Sequence, residues 1–498
     1  MTRETEEDRS MESQNNDNLK RSAFGSMFWK FAERICAQLV SLIVSIILAR
    51  MLVPDDYSVV SIVAIFFAFC YVFISGGMNT ALIQKKNAVA EDYSAVLYVN
   101  LAIATVFYGA IYLCAPLIAQ LYAKPLLIPI FRVMGLTFFP SALKSVLSAY
   151  IASKLEFRKF FLSTIVGTVI SAAAGLWVAF AGYGAWALVA QEMTNTFIDT
   201  LVLYLTTRLR FVRSFSLERL KSLFAFGWKM MLTSIITVAY DQLSPLIVGL
   251  KFTPADLAYY NKGKTFPGLI NNTISDTLAN VLFPVMARVQ DNKEDVLNIT
   301  RRYVKAASYV MFPVMLGLFA VSENFIRVLL TDKWLPAVAY LQIFAVFYMF
   351  DLVQVGSLQA IKAIGRSDII LRLEIIKKVV YLTIVVLFLL LSRNPEMFAF
   401  SALLCMAASV VIDTYPNRKL LGYRYRYLLA DVLPNLLISA IMAGVVLVIG
   451  RLQAAAFVLL LLQILTGVVL YVVLSFLTRN ENFRYLLSFL LELRGKGN

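Results

Sequence analysis

The chain has 498 residues, 60% of them hydrophobic, and a mean hydropathy of +0.74. That exceeds the apolar share of a soluble globular domain and points to a polytopic membrane protein, with no polar region long enough to bury a soluble core. The net charge of +15 then reads as basic loops on one face of a membrane rather than as a nucleic-acid surface, and the absence of histidine removes Ser–His and Cys–His catalysis, histidine-ligated metals and histidine proton relays together.

The N-terminal "MTRETEEDRSMESQNNDNLKRS" is acidic and amide-rich, and a disordered cytoplasmic tail is expected over 1–28. It lacks the basic n-region, short apolar core and small-residue cleavage site of a signal peptide. Apolar segments of about 20 residues then follow near 29–51, 58–83, 94–121, 126–151, 160–181, 184–206, 225–250, 257–287, 303–330, 336–361, 370–392, 396–416, 428–450 and 455–478. The eighth, "YYNKGKTFPGLINNTISDTLANVLFPVMA", is far more polar than its neighbours. Cys36, Cys70, Cys114 and Cys405 all lie inside apolar runs and read as packing residues, with neither a disulfide framework nor a metal site implied.

Orientation tests the count. With the N-terminus inside, "QKKN", "SKLEFRKF", "TRLRFVRSFSLERLK", "RVQDNKEDVLNITRRYVK", "IKAIGRSDIILRLEIIKK", "NRKLLGYRYR" and both termini fall on the cytoplasmic side and hold most of the 46 Lys and Arg residues. Only Arg50, Lys124, Lys251, Arg327, Lys333, Arg393 and Arg451 fall opposite. Dropping the polar eighth segment inverts the later loops and destroys this bias, so the positive-inside rule supports keeping it. Fourteen transmembrane helices with both ends cytoplasmic are expected.

The sequence also repeats. "FGSMFWK" before the first span faces "FGWKMML" before the seventh, "LARMLVPDDYSVV" faces "VGLKFTPADLAYY" with Pro54 against Pro254 and Asp56 against Asp256, and "LYAKP" faces "LLTDKW". Each copy holds six spans, an even number, so both insert the same way up. Two parallel lobes related by an axis along the membrane normal follow, with a substrate path between them. The expected divisions are an N-lobe over 29–206, a cytoplasmic linker over 207–223, a C-lobe over 224–420, and two further helices with a cytoplasmic tail over 421–498.

Ionised groups in a bilayer are costly and seldom lack a use. At about 100° per residue, Arg34, Gln38, Ser41 and Ser45 share one stripe of the first helix. Lys229, Thr233, Thr237 and Ser244 share one on the seventh, with Asp241 at its margin. On the eighth, Lys264, Asn271 and Ser275 align, and Lys262 points elsewhere unless Pro267 and Gly268 break the helix. These residues form a candidate polar, cationic cavity: Arg34, Lys229, Lys262 and Lys264 for anionic substrate, and Gln38, Ser41, Thr233, Thr237, Asn271 and Ser275 for polar lining. Glu33, Asp241 and Asp276 are candidate coupling or gating acids. Arg132, Lys144, Glu192, Asp199, Asp351 and Asp413 are further intramembrane charges that the sequence does not sort. The competing structural readings are interhelical hydrogen bonding for Ser and Thr, and snorkelling to the membrane surface for Lys229. The "GKT" at 263–265 is not a phosphate-binding loop, since Ala258 occupies the first glycine position and no strand precedes it. "NIT" at 298–300 has the form of a glycosylation sequon but falls on an expected cytoplasmic loop.

In order, "SIILARMLVPDDYSVVSI", "GGMNTALIQKKN", "KLEFRKF", "AGYGAWALVAQ", "LAYYNKGKTFPGLI", "LTDKWLPAV" and "AIGRSDI" resemble the bacterial polysaccharide exporters. The chain is similar to Wzx-type flippases near the colanic acid and teichuronic acid exporters, in the superfamily that also holds the MATE drug antiporters and the lipid II flippase. The resemblance implies two pseudo-symmetric six-helix lobes in a MATE-like V plus two C-terminal helices, with helices one, two, seven and eight lining a central cationic cavity. It places Arg34, Lys262 and Lys264 where related flippases carry cavity cations. It implies translocation of undecaprenyl-pyrophosphate-linked oligosaccharide across the bacterial inner membrane for capsule, exopolysaccharide or O-antigen synthesis, not an enzymatic reaction. No cofactor is expected; coupling to an H+ or Na+ gradient stays open, as do partnerships with polymerase and export machinery. "LVPDDYS" departs from the commoner Leu-Gly-Pro-Glu-Asp-Tyr-Gly, and "ISGGMNTAL" lacks the acid often found before its glycine. A cation-coupled drug antiporter on the same fold and a membrane glycan polymerase or ligase are the alternatives; the first favours an acidic aromatic cavity, the second a long periplasmic catalytic loop.

Overall fold

The computed structural model describes residues 38–75, 77–85, 88–154, 156–207, 209–213 and 217–484. Glu33 and Arg34 lie outside them. Among the described residues the regular structure is entirely helical. In chain order the helices are α1 (described over Gln38–Met51), α2 (Pro54–Ser75), α3 (Met78–Gln84), α4 (Ala90–Leu121), α5 (Leu127–Met134), α6 (Phe138–Lys154), α7 (Phe157–Phe180), α8 (Trp186–Thr206) and α9 (Leu217–Lys251). Then follow α10 (Pro254–Arg288), α11 (Lys293–Leu330), α12 (Ala337–Met349), α13 (Asp351–Ala363), α14 (Ser367–Leu391), α15 (Pro395–Ala399), α16 (Ser401–Leu420), α17 (Tyr425–Ile449) and α18 (Ala456–Leu477).

Among the described residues every expected span overlies helix, residues 29–37 of the first lying outside them. Ten segments among the described residues are long and apolar enough to cross a membrane, so the chain is a multi-pass membrane protein. α8, α10 and α14 are not among the ten, and α1 is described over Gln38–Met51 alone. α10 carries many polar residues and α14 is studded with charge, which explains why length alone does not qualify them.

The sequence repeat appears as a shared way of starting a helix. Pro54 opens α2 with Asp55 and Asp56 in its first turn, and Val53 donates its backbone N–H to Asp56 Oδ2 at 3.1 Å. Pro254 opens α10 with Asp256 in its first turn. Proline loses nothing at a position whose N–H has no helical partner, and an acid there favours the positive end of the helix dipole. The α7–α8 turn presses on the first of these starts: Gly184 sits at φ 55°, and a Cβ there would lie 2.8 Å from Asp56 Oδ1.

The chain divides into two compact units, Met1–Ala255 and Asp256–Asn498. In the first, Val44, Leu48 and Leu52 of α1 pack with Ala172 and Ala179 of α7 and with Ala187 and Leu188 of α8. A second cluster joins Met78 and Leu82 of α3, Tyr93 and Val96 of α4, Val146 of α6 and Leu223 of α9. There α9 crosses the α2–α3 break at backbone contact. A Cβ on Gly77 would overlap the Gly227 carbonyl oxygen, and one on Gly227 would lie 2.9 Å from the Met78 nitrogen. Only a pair of glycines allows that approach.

In the second unit α11 is central. Val304, Met311, Phe312 and Met315 meet Ala345 and Met349 of α12, Leu352 and Val353 of α13, and Leu428 and Val432 of α17. Ile438, Met442 and Val446 of α17 with Leu460 and Tyr471 of α18 extend this core along α11. The two C-terminal helices are thus packed elements of this unit. A buried ion pair joins α14 to α16: Lys377 Nζ lies 3.2 Å from Asp413 Oδ2 and 2.7 Å from Glu374 Oε1.

Candidate functional site

On α9, Lys229, Thr233, Thr237 and Asp241 recur every four residues, so their side chains run down one face. All four are exposed in the folded unit. Thr233 Oγ1 donates to the Lys229 carbonyl at 3.0 Å and Thr237 Oγ1 to the Thr233 carbonyl at 2.9 Å. These bonds satisfy the hydroxyl donors and leave oxygen lone pairs outward, so the face accepts hydrogen bonds from whatever covers it. Ser244, at the end of the stripe, is buried. On α1, Ser41 is exposed and Gln38 and Ser45 are half-buried.

α10 behaves differently. It runs through Pro267 and Gly268 without interruption, so Lys262 and Lys264, two residues apart, leave the helix on different sides. Lys262 is 6% exposed and stands 5.6 Å from the centre of the Trp334 ring. Lys264 is half-buried, 5.9 Å from the Phe344 ring centre. An aromatic face offers an ammonium partial electrostatic compensation for lost water. Asn271 and Ser275 are buried and joined in a chain: Ser275 Oγ donates to Asn271 Oδ1 at 3.0 Å, and Asn271 Nδ2 donates to Asp351 Oδ2 at 2.7 Å. The side chain of Asp276 is outside the described residues.

The structure therefore groups Lys229, Thr233, Thr237 and Asp241 on one open face, and ties Asn271 and Ser275 into a lobe-internal network. Asp351 belongs to that network, a role the sequence reading did not assign. The expected single span over 336–361 divides at Phe350 into α12 and α13, which puts Asp351 in the first turn of α13, where a carboxylate is favoured. Two other unsorted charges pair within the first unit, Lys144 with Asp199 between α6 and α8. Arg132 lies 4.2 Å from the Tyr112 ring centre. Among the described residues no group of three acidic or cysteine side chains is arranged to hold a metal ion.

The family model described as "Polysaccharide biosynthesis protein" matches residues 47–339, more than half of the chain, and the chain belongs to that family. It is 24% identical over 290 residues to the succinoglycan biosynthesis transport protein ExoT of Rhizobium meliloti, a match covering 58% of each chain. It is 23% identical over 376 residues to the lipopolysaccharide biosynthesis protein WzxC of Escherichia coli, covering 74% of this chain and 76% of that one. Among solved structures, the lipid II flippase MurJ in an inward closed conformation superposes with a TM-score of 0.72 at 14% identity, covering 92% of this chain and 99% of MurJ. The fold is that of MurJ.

Proposed function

We propose that this member of the polysaccharide biosynthesis protein family moves an undecaprenyl-diphosphate-linked oligosaccharide from the cytoplasmic to the periplasmic leaflet of the bacterial inner membrane, with both chain termini in the cytoplasm. The observation that carries the reading is the open stripe of Lys229, Thr233, Thr237 and Asp241 on α9. Two ionisable groups placed against acyl chains would cost a few kcal/mol each, so a helix built this way is suited to border water. A transporter for an amphiphile needs such a border, because the headgroup must cross while the polyprenyl tail stays in lipid.

The diphosphate is the part of the substrate that hydrocarbon rejects most strongly. Ammonium and guanidinium groups replace its water with charge-assisted hydrogen bonds, a role assigned to Lys229 and Lys264 together with Arg34, whereas Lys262 is buried against Trp334 on another side of α10. Gln38, Ser41, Thr233 and Thr237 offer the amide and hydroxyl chemistry that pairs with sugars. A membrane potential negative inside favours outward movement of the anion by about 2.3 kcal/mol per charge per 100 mV. Glu33, Asp241 and Asp276 are the acids assigned to coupling an H+ or Na+ gradient to resetting. Polymerase and export machinery are the expected recipients of the translocated unit.

The test is transfer of a labelled lipid-linked oligosaccharide between leaflets of reconstituted vesicles. Lys229→Ala combined with Lys264→Ala should slow transfer roughly a hundredfold, the worth of about two charge-assisted hydrogen bonds, while protein insertion is unchanged. A correctly inserted double variant with wild-type transfer contradicts the assignment.

A further inference from the structure

The second unit carries a built amphipathic cleft that the transport reading does not use. α11 presents Arg301, Arg302 and Lys305 within little more than one turn. Arg301 grips the buried Asp431 of α17 with two bonds, Nε to Oδ2 at 2.9 Å and Nη2 to Oδ1 at 2.8 Å, and Tyr423 Oη donates to Oδ2 at 3.2 Å. Lys305 Nζ lies 2.8 Å from Glu481 Oε2 and 3.9 Å from Asp431 Oδ1. The segment after α18 is tied down as well: Asn480 Nδ2 donates to Asn435 Oδ1 at 2.9 Å, and Asn435 Nδ2 donates to Ser308 Oγ at 2.8 Å.

Two cavities meet at Lys305, Glu481 and Asn482. One, of about 380 Å³, is bordered by Asn298, Arg301 and Arg302. The other, of about 540 Å³, runs from Arg479 and Asn480 to Pro434, Leu437, Ile438 and Ile441. Polarity therefore falls along α17 from Asp431 to Ile441, a rise of about 15 Å, from a charged end to a wholly apolar one.

We propose that this double cleft binds an anionic glycerophospholipid of the surrounding bilayer, with its phosphate at Lys305, Arg302 and Arg479 and an acyl chain along Pro434, Leu437 and Ile441. Charge complementarity and the polarity gradient select that occupant. Arg301, Arg302, Lys305 and Arg479 outnumber Asp431 and Glu481, and a purely hydrophilic anion would leave the apolar half unused. The two carboxylates differ in kind. The Asp431 side chain is 1% exposed and held by Arg301 and Tyr423, whereas that of Glu481 is 80% exposed and reaches Lys305 from solvent. Lys305 holds the Glu481 carboxyl below the usual carboxylate range, so it is ionised at neutral pH and occupies the ammonium until a phosphate displaces it. Arg479 sits at φ 51°, a left-handed conformation that glycine adopts more easily, just past the end of α18.

The experiment uses the full chain in nanodiscs of phosphatidylcholine doped with phosphatidylglycerol, with retained lipid counted by native mass spectrometry. Removing two interfacial cations, Arg302→Gln with Arg479→Gln, should weaken phosphatidylglycerol retention about tenfold, slightly less than two full surface-charge contributions, and leave phosphatidylcholine retention unchanged. Glu481→Gln should raise phosphatidylglycerol retention, because it frees Lys305. An unaltered thermal midpoint shows that both variants are folded. Wild-type retention by the double variant, weaker retention by Glu481→Gln, or displacement of the lipid by excess inorganic phosphate would each overturn the proposal. The readout is independent of transfer, so the transport reading can fail while this site stands.

Discussion

On α9, four polar side chains lie open along one face; on α10, Asn271 and Ser275 are turned inward, Asn271 bonded to Asp351 and Ser275 to Asn271. Both helices look polar in sequence, and both belong to a fold that must satisfy polar groups without help from lipid. α10 does so internally, as Asn271 and Ser275 show. α9 leaves Lys229, Thr233, Thr237 and Asp241 exposed on the surface of its unit, and its own anchorage comes from the opposite property, the side-chain-free crossing at Gly77 and Gly227. Polarity in a membrane helix thus does not by itself say whether a side chain is bonded inside its own unit, and burial does.

The largest expected effect strikes the anchorage of α9. Gly77→Leu forces α3 and α9 apart and should cost about 3 kcal/mol or more, the upper range for overpacking, seen as lost expression of folded protein or a lower unfolding midpoint in detergent. Next comes the internal network of α10. Asp351→Ala strands the buried Asn271 amide and should cost about 1–3 kcal/mol, with Asp351→Asn recovering much of it. On the open face of α9 the balance reverses. Thr233→Val with Thr237→Val should change stability by less than about 0.5 kcal/mol per site yet slow oligosaccharide transfer; a stability loss as large as that of Asp351→Ala would erase the contrast. The smallest effect is reserved for the exposed pair at the start of α14. Arg366 bonds both oxygens of Asp368, with Nε 2.9 Å from Oδ1 and Nη2 3.0 Å from Oδ2, and holds that carboxyl down at about 2. Its contribution is present above the ordinary carboxylate value of about 3.9 and is lost only as pH falls through the lowered one. Arg366→Gln should move the Asp368 titration back up toward that ordinary value and leave the unfolding midpoint at neutral pH unchanged, since water screens the pair.

Much of this was legible in residues alone. Apolar length and the bias of Lys and Arg located the helices, α10 included, and Pro54 with Asp56 matched to Pro254 with Asp256 marked equivalent helix starts that the structure shares. The spacing of Lys229, Thr233, Thr237 and Ser244, with Asp241 at the margin, marked a stripe on α9, of which Ser244 is buried and the other four are exposed. Its exposure was not legible, because Asn271 and Ser275 recur at the same spacing and are buried. What separates them is Asp351, eighty residues away in the chain, and a helix division at Phe350 that no proline or glycine announces. The bidentate pair of Arg301 with Asp431 was equally hidden: a basic loop on one side of a membrane is ordinary, and its acidic partner lies within an apolar run.

The central claim, that the α9 stripe borders water, is tested most directly by the reactivity of single cysteines. In a background lacking Cys36, Cys70, Cys114 and Cys405, Thr233→Cys and Thr237→Cys would be compared with Leu232→Cys and Ala239→Cys, which are also exposed but lie on the flank of the helix. The account predicts rapid labelling of the first pair by a charged, water-soluble maleimide in intact membranes and little labelling of the second. Equal labelling of all four positions, or none at Thr233→Cys and Thr237→Cys, would contradict it.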